Sequence, residues 1–481
     1  MKRAIILFSL LCLVLLIIVL FLFINSKDES GKEPQLLSDR KIIEIQEIAI
    51  SNQYDTYSVY QEGGGFAIAD LPIENVNADY LLMLLDEAAR VEYIELVSQT
   101  EKFFAASSLE AFGLEQPAGS ALISFTTGDS LHLLFGGVER VSGGQYFMIK
   151  DDNAVYLMDH SRVVRFLQPL KRFINLEIVQ TRSVPSPLST IKYLHLSGRA
   201  FPLPIIISEA RADSEDSIRE TLSFGATTHL IRSPRLRKID QKEAIDVFGS
   251  LSGLLNIEVL DYNCSDDVLA QYGFDDPLVR AEYIYEKSDG SEPVRIVLKA
   301  ALFEGGYILV RDNQRIVHRI EKKAFLVTSY EKLTSRWFLT PFITDIQSIA
   351  INSGKHSYRF ELSGEDNRSL KASLNNSELD MEKFRKFYTL LISAASDGQL
   401  IQAAPVTGAT GQAAAPVLSV TFYYRDPHKE PDIMSFSHGS LRRLFVTVNG
   451  VTEFACLERY AQVLETALQA LVKGTDFRTD W

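Results

Sequence analysis

Cysteine is scarce, with three in 481 residues. Cys12 falls in an apolar run, which leaves Cys264 and Cys456 for the rest of the chain. Two thiols allow one bridge at most, so a disulfide framework and a cysteine metal site are both excluded. Positive charge is also short: 49 Lys and Arg stand against 62 Asp and Glu, a net charge of −13. An acidic body repels nucleic acid and anionic lipid headgroups, so neither is expected as a partner. The one basic cluster, Arg232, Arg235, Arg237 and Lys238, reads as a solvated face.

The signatures of chemistry are missing too. Eight histidines are scattered, none four residues from another and none beside a cysteine at ligand spacing. No Gly-x-x-x-x-Gly-Lys is present, so a phosphate loop is not expected. Gly249-Ser-Leu-Ser-Gly253 has Leu251 where a nucleophile elbow needs serine. Ser-x-x-Lys at Ser38, Ser189 and Ser329 lacks its partner motifs. Asp151-Asp152 and Asp275-Asp276 have the chemistry of ordinary turns, with no calcium-loop spacing around them. The chain is therefore read as non-enzymatic, with no catalytic, cofactor or metal residue assigned and no cofactor expected.

Only one long hydrophobic run exists. Ala4–Ile24 holds Ser9 and Cys12 as its only polar members. As a helix it would span about 31 Å, one hydrocarbon core. It ends Phe21-Leu-Phe-Ile-Asn25, too bulky for a signal-peptide cleavage site. Lys2 and Arg3 precede it and favour a cytoplasmic N-terminus, although Lys27, Lys32, Arg40 and Lys41 follow it. The expectation is a cytoplasmic tip and single-pass transmembrane anchor over 1–24. A polar linker over 25–41 and a large body outside the cytoplasm would follow.

What the body does contain is repetition. Glu44-Ile-Gln-Glu-Ile-Ala-Ile-Ser-Asn52 returns as Asp345-Ile-Gln-Ser-Ile-Ala-Ile-Asn-Ser353, with a looser version at Thr190–Gly198. Each reads as a half-buried strand. A second strand, a turn (marked by Pro72 and Pro234) and a helix follow, with caps at Asn77, Asp240 and either Ser377 or Asp380. Next comes Phe112-Gly113-Leu114-Glu-Gln-Pro117, matched by Tyr272-Gly273-Phe274-Asp-Asp-Pro277. Glycine at positive φ reverses the chain after a helical turn, the next apolar residue packs back, and proline stops the helix. The third version keeps Pro416 but replaces the glycine turn with a small-residue loop, Gln402–Ala415. Closing helices are expected near 161–173, 322–337 and 457–472. The predicted class is α+β: an N-terminal transmembrane helix, then three tandem repeats of antiparallel sheet plus helices. The bounds are 42–179, a Pro/Ser linker 180–189, 190–343, and a degenerate 344–481.

These features together resemble the domain of unknown function 4340 family. The resemblance rests on the opening strands, the Pro72 turn, Phe112–Pro117, the Gly144-x-Tyr146 strand and Lys171-Arg-Phe173. It covers nearly all of 42–340 and, in degenerate form, the rest to 481. A family tryptophan before the Pro72-type turn is absent here; Phe66 is the nearest aromatic, and Leu230 stands in the second repeat. The resemblance implies an envelope protein serving a gliding-type ABC transporter as accessory or scaffold, with transporter subunits as partners in the same membrane. The alternative is an extracytoplasmic binding module for an envelope polymer or ligand, with Tyr60, Tyr146, Tyr283 and Tyr307 as candidate contacts.

Overall fold

The computed structural model describes residues 34–98, 106–152, 154–179, 190–210, 227–285, 292–354, 356–401, 416–439 and 442–481. The apolar run 4–24, most of the polar linker, the 180–189 linker and the 402–415 loop lie outside the described residues. Among the described residues no helix is long and apolar enough to cross a membrane. The chain divides into two compact units, 1–176 and 177–481.

The first unit holds an eight-stranded sheet. Its strands are β2 (Ile45–Asn52), β3 (Thr56–Glu62), β4 (Gly65–Ile68), β6 (Glu95–Ser98), β7 (Gly119–Phe125), β8 (Ser130–Val138), β9 (Gln145–Ile149) and β10 (Val155–Met158). The order is β4-β3-β2-β7-β8-β9-β10-β6, antiparallel throughout. Two further short strands, β1 (Gln35–Leu36) and β5 (Glu92–Tyr93), pair separately.

The second unit holds two large sheets and one two-stranded pair. One is built from β12 (Ile191–Ser197), β13 (Ile205–Glu209), β14 (His229–Ser233), β15 (Arg237–Lys238), β17 (Glu258–Asp261), β18 (Val279–Tyr285), β19 (Val294–Phe303), β20 (Gly306–Arg311) and β21 (Val317–Ile320). Its order is β15-β14-β13-β12-β18-β19-β20-β21-β17. Beside it β11 (Glu177–Val179) pairs with β16 (Leu254–Leu255). The other sheet contains β22 (Ile346–Ser353), β23 (His356–Ser363), β24 (Lys371–Leu374), β25 (Ser377–Glu378), β26 (Leu418–Tyr424), β27 (Asp432–His438), β28 (Arg443–Val448) and β29 (Val451–Leu457). Its order is β25-β24-β23-β22-β26-β27-β28-β29. The opening strand thus lies mid-sheet in all three, between the strand that follows it directly and one that returns after a helix.

The opening strands share a register break. Ile45, Ile48 and Ile50 are buried, as are Ile191, Leu194, Leu196 and Ile346, Ile349, Ile351. The spacing is three, then two. An extra residue sits in each gap, and the pairing with the returning strand shifts at Ile45/Glu47, Ile191/Tyr193 and Ile346/Ser348. A bulge absorbs the odd residue and keeps all three apolar side chains on the core face.

One amphipathic helix covers each core. These are α1 (Ala78–Ala89), α4 (Gln241–Leu251) and α7 (Met381–Leu391). Asn77, Asp240 and Asp380 cap them, each accepting from a backbone N–H in the first turn; Ser377 lies in β25. Leu81, Leu84, Leu85 and Ala88 of α1 are buried, as are Phe384, Phe387 and Leu391 of α7. A buried carboxylate adds to the first unit. Glu87 of α1 meets Arg162 at 2.6 Å and Arg165 at 2.5 Å, both on α3 (His160–Phe166). Burial still holds its carboxyl above the ordinary range.

Among the described residues 42 % are strand and 22 % helix, so what is described is mostly β and the α+β expectation is corrected. The closing helices account for much of the difference. The first breaks at Pro169 into α3 and a 3-10 turn, Leu170–Phe173. The second is a 3-10 turn, Ala324–Leu326, and the four residues of α6 (Tyr330–Leu333), separated by Val327-Thr328 and capped by Ser329. Only the third, α8 (Glu458–Val472), is a long helix. The polar linker is also partly structured. Gln35–Leu36 clasps Glu92–Tyr93, Glu177–Val179 clasps Leu254–Leu255, and Trp337 bridges Ala395. The segment ahead of each opening strand is therefore pinned to the residues that follow its helix.

The glycine turns follow two short helices, α2 (Ala106–Ala111) and α5 (Asp266–Gln271). Gly113 has φ +70° and Gly273 φ +85°. Gly113 N–H donates to Glu110 O and Leu114 N–H to Leu109 O, both at 2.9 Å. Gly273 N–H and Phe274 N–H do the same to Ala270 O and Leu269 O. This is the Schellman pattern, in which a left-handed residue lets the last helical carbonyls be satisfied. Leu114 and Phe274 pack back and are buried. Phe112 and Tyr272 stack edge-on against Tyr146 and Phe303. Pro117 and Pro277 then lead into β7 and β18.

The two glycines differ in one respect. A Cβ on Gly113 would stand 2.7 Å from Gly137 N, whereas one on Gly273 meets nothing closer than Ala301 Cβ at 3.9 Å. Gly273→Ala should cost about 1 kcal/mol, the positive-φ term alone. Gly113→Ala adds a backbone collision and should cost at least about 2 kcal/mol more. Denaturant unfolding of the full chain, read by hydrogen exchange in each unit, checks this; equal losses would discard the steric argument.

Candidate functional site

The second unit carries the strongest polar constellation, where its two sheets meet. Glu453 of β29 is only 10 % exposed at its side chain. Arg237 of β15 reaches one carboxylate oxygen at 2.5 Å and Arg235 the other at 2.8 Å. The Tyr330 hydroxyl of α6 donates to the same carboxylate at 3.3 Å. Burial, followed by the Glu453 charge, drives the Tyr330 hydroxyl far above its ordinary pKa, so it stays a donor. Next to Glu453, Phe454 enters the core of the preceding sheet and stacks on Tyr330 with centroids 6.3 Å apart. Backbone bonds complete the seam: Phe338 N–H to Ala394 O at 3.1 Å and Ser396 N–H to Arg336 O at 2.7 Å. A cavity of about 10 Å³ remains between Arg237, Lys238, Trp337, Ser396 and Phe454, room for one water. Burial lowers the Lys238 amine pKa there. A carboxylate held by two guanidinium groups and a phenol is a directed contact between the two sheets.

A second constellation lies in the last sheet. Asp432 accepts the Tyr424 hydroxyl on one oxygen and Asn449 Nδ2 on the other at 2.7 Å. Lys429 Nζ sits 3.6 Å from the centroid of the Tyr424 ring and 4.0 Å from Asp432. The amine is shut off from solvent and has no hydrogen-bond partner among the described residues. Burial pulls its pKa down to about 8, against the opposing charges of Asp432, Asp345 and Asp426. Such an amine is a capable base or nucleophile only if something can reach it, and here the ring and the carboxylate enclose it.

Two clefts are more open. One, of about 340 Å³, lies beside the second glycine turn. Its cations are engaged: Arg315 with Asp266 at 3.0 Å, Lys299 with Asp312 at 3.9 Å, and Arg311 with Ile178 O at 3.1 Å. The other, of about 610 Å³, runs along α8 between Arg459, Gln462, Thr466, Phe477 and Arg478.

The residues singled out from sequence separate clearly. Phe112, Gly113, Leu114, Pro117, Tyr272, Gly273, Phe274 and Pro277 form the two glycine turns. The basic cluster is dispersed into the fold: Arg235 and Arg237 hold Glu453, while Arg232 donates to Ser208. Of the four tyrosines, Tyr60 on β3 and Tyr146 on β9 stand four strands apart in the first sheet. Tyr283 is fully buried with its hydroxyl on Leu251 O, and Tyr146 packs on Phe112. His229 is buried with Nε2 at 2.9 Å from Ile191 O, and burial takes His318 down to about 4. No group of three or more His, Cys, Asp or Glu able to hold a metal occurs among the described residues. Cys264 and Cys456 are buried and free. Glu453 and Lys429 were missed because each lies among ordinary strand or turn residues. The only local signal, the Arg235-x-Arg237 spacing, says nothing of its partner. No family model, no curated protein and no solved structure matches this chain.

Removing the Glu453 carboxylate leaves two guanidinium groups facing each other. Glu453→Ala should destabilise the second unit by about 3 kcal/mol and leave the first unchanged. Faster hydrogen exchange at 235–239 and 394–401, with none in 45–52, is the expected readout.

Lys429 works in the opposite sense. Its folded pKa lies below the unfolded value, so the folded state binds fewer protons, and stability rises as pH climbs from about 8 towards 10.5. At pH 7 Lys429→Met should stabilise the protein by about 1–3 kcal/mol. The advantage should shrink above pH 10 in paired melting curves, and a variant less stable at both pH values contradicts the assignment.

Proposed function

We propose that this chain is a non-catalytic, membrane-attached scaffold whose body lies outside the cytoplasm and serves a membrane complex, a gliding-type ABC transporter system. The supporting observation is that the best-formed polar constellation, Glu453 with Arg235, Arg237 and Tyr330, joins two sheets. Rigid joining of repeated sheets is what a scaffold requires. The transporter as partner comes from the sequence resemblance, and attachment from the apolar run Ala4–Ile24. A second reading, capture of an envelope polymer, has one feature in its favour, the 610 Å³ groove along α8.

The test is crosslinking of the full chain in its native membranes with an amine-reactive reagent, followed by affinity capture and mass spectrometry. ABC-transporter subunits are the expected partners, and the chain should stay in the pellet after carbonate extraction. Recovery without any transporter subunit overturns the scaffold reading, and release by carbonate overturns membrane attachment.

A further inference from the structure

Helix α1 carries an apolar cluster on the face it turns to solvent. Tyr80, Leu82 and Met83 are 37, 53 and 48 % exposed, and Ile73, in the turn before the helix, is 64 % exposed. The buried stripe of α1 does not need them, since Leu81, Leu84, Leu85 and Ala88 supply it. Nor does the fold. Counted from the caps, the places of Tyr80, Leu82 and Met83 are taken by Glu243, Ile245 and Asp246 in α4. In α7 they are taken by Lys383, Arg385 and Lys386. Three helices in equivalent positions therefore differ in one property, and only the first presents a wholly apolar cluster. Each large apolar side chain left in water forgoes burial that a partner can recover.

The rim of the cluster defines what fits. Asp79 and Asp86 lie one turn either side of Leu82 and Met83, and exposed Glu74 adjoins Ile73. Arg172 already lies over the Tyr80 ring, 5.8 Å from its centroid, and the three carboxylates of the rim disfavour anionic headgroups and favour further cations beside the apolar centre. The position of the helix is also restricted. Leu37 N–H bonds to Val91 O and Arg40 N–H to Ala89 O, so the chain enters the body at the C-terminal end of α1. From Ile24 to Gln35 the chain can reach at most roughly 40 Å, and α1 itself is about 18 Å long.

We infer that this face of α1 docks an amphipathic helix of a membrane partner, one whose apolar stripe is flanked by lysine or arginine. The inference rests on the scaffold reading above and names the surface that reading requires. Leu82 and Met83 enter the apolar stripe, and Asp79 and Asp86 pair with its basic edges.

The experiment places the photo-crosslinker p-benzoylphenylalanine at Leu82 of the full chain in native membranes, with the same probe at Ile245 as comparison. The expected result is a protein adduct at residue 82 only. Its crosslinked segment carries apolar residues at helical spacing with Lys or Arg beside them. Met83→Glu should lower the adduct yield at least fivefold, and so should Asp79→Lys with Asp86→Lys. All three positions are exposed, and recovery of normal amounts of folded protein confirms that the fold is kept. Lipid adducts alone, an adduct with a second molecule of this chain, equal yields at residues 82 and 245, or no adduct each overturn the inference. Amine-reactive capture from the same membranes separates the two failures. Transporter subunits recovered without an α1 adduct reject the docking face alone, and neither recovered rejects both.

Discussion

Each sheet depends on one pairing, that of its opening strand with the strand that returns after the helix. β2 finds β3 across a short turn, but its other edge stays open until β7 arrives. The same holds for β12 with β18 and β22 with β26. Non-local pairing of this kind must overcome loop-closure entropy before it is rewarded. In the first two sheets the helix, the glycine turn and the proline that lie between are the means of return. The helix covers the core face, the left-handed glycine ends the following helical turn, and proline prevents its continuation. The bulge near the start of the opening strand then sets the register in which the two strands meet.

This division explains what could be read in the sequence. Caps at Asn77 and Asp240, and positive φ at Gly113 and Gly273, are set by the residue and its immediate neighbours, so local chemistry reveals them. The Ile-x-x-Ile-x-Ile spacing of the opening strands was visible as apolar patterning, although its spacing of three is a bulge and not simple alternation. The balance of strand and helix was not legible. Apolar periodicity runs through Pro169 and through Val327–Ser329 as though one helix spanned each, while the backbone breaks there. The clasps at Gln35–Leu36 and Glu177–Val179 are too short to show a period, so composition assigned the first to a linker and the second to the tail of a repeat. Glu453 was illegible for another reason: its partner Arg237 lies 216 positions away.

Buried charge is handled differently in different parts of the chain. Glu87 and Glu453 each meet two arginines, so the desolvation of the carboxylate is offset by short, directed contacts. Lys429 has an aromatic face and one carboxylate at 4.0 Å, with no hydrogen bond to its amine among the described residues. The first two strengthen the packing around them. The third weakens it at neutral pH, which makes the end of the last sheet a place where alkaline conditions tighten the protein.

The clasp at Gln35–Leu36 has a mechanical consequence. Tension arriving along the N-terminal segment reaches the pairing with Glu92–Tyr93, and the bonds from Leu37 and Arg40 to Val91 and Ala89, before it reaches β2. The pairing at Glu177–Val179 stands in the same place ahead of β12. Each clasp is thus a strain relief, like the grip on a cable. A few peripheral hydrogen bonds can open and close again under a fluctuating pull, while the bulged strand at the centre of the sheet stays unloaded.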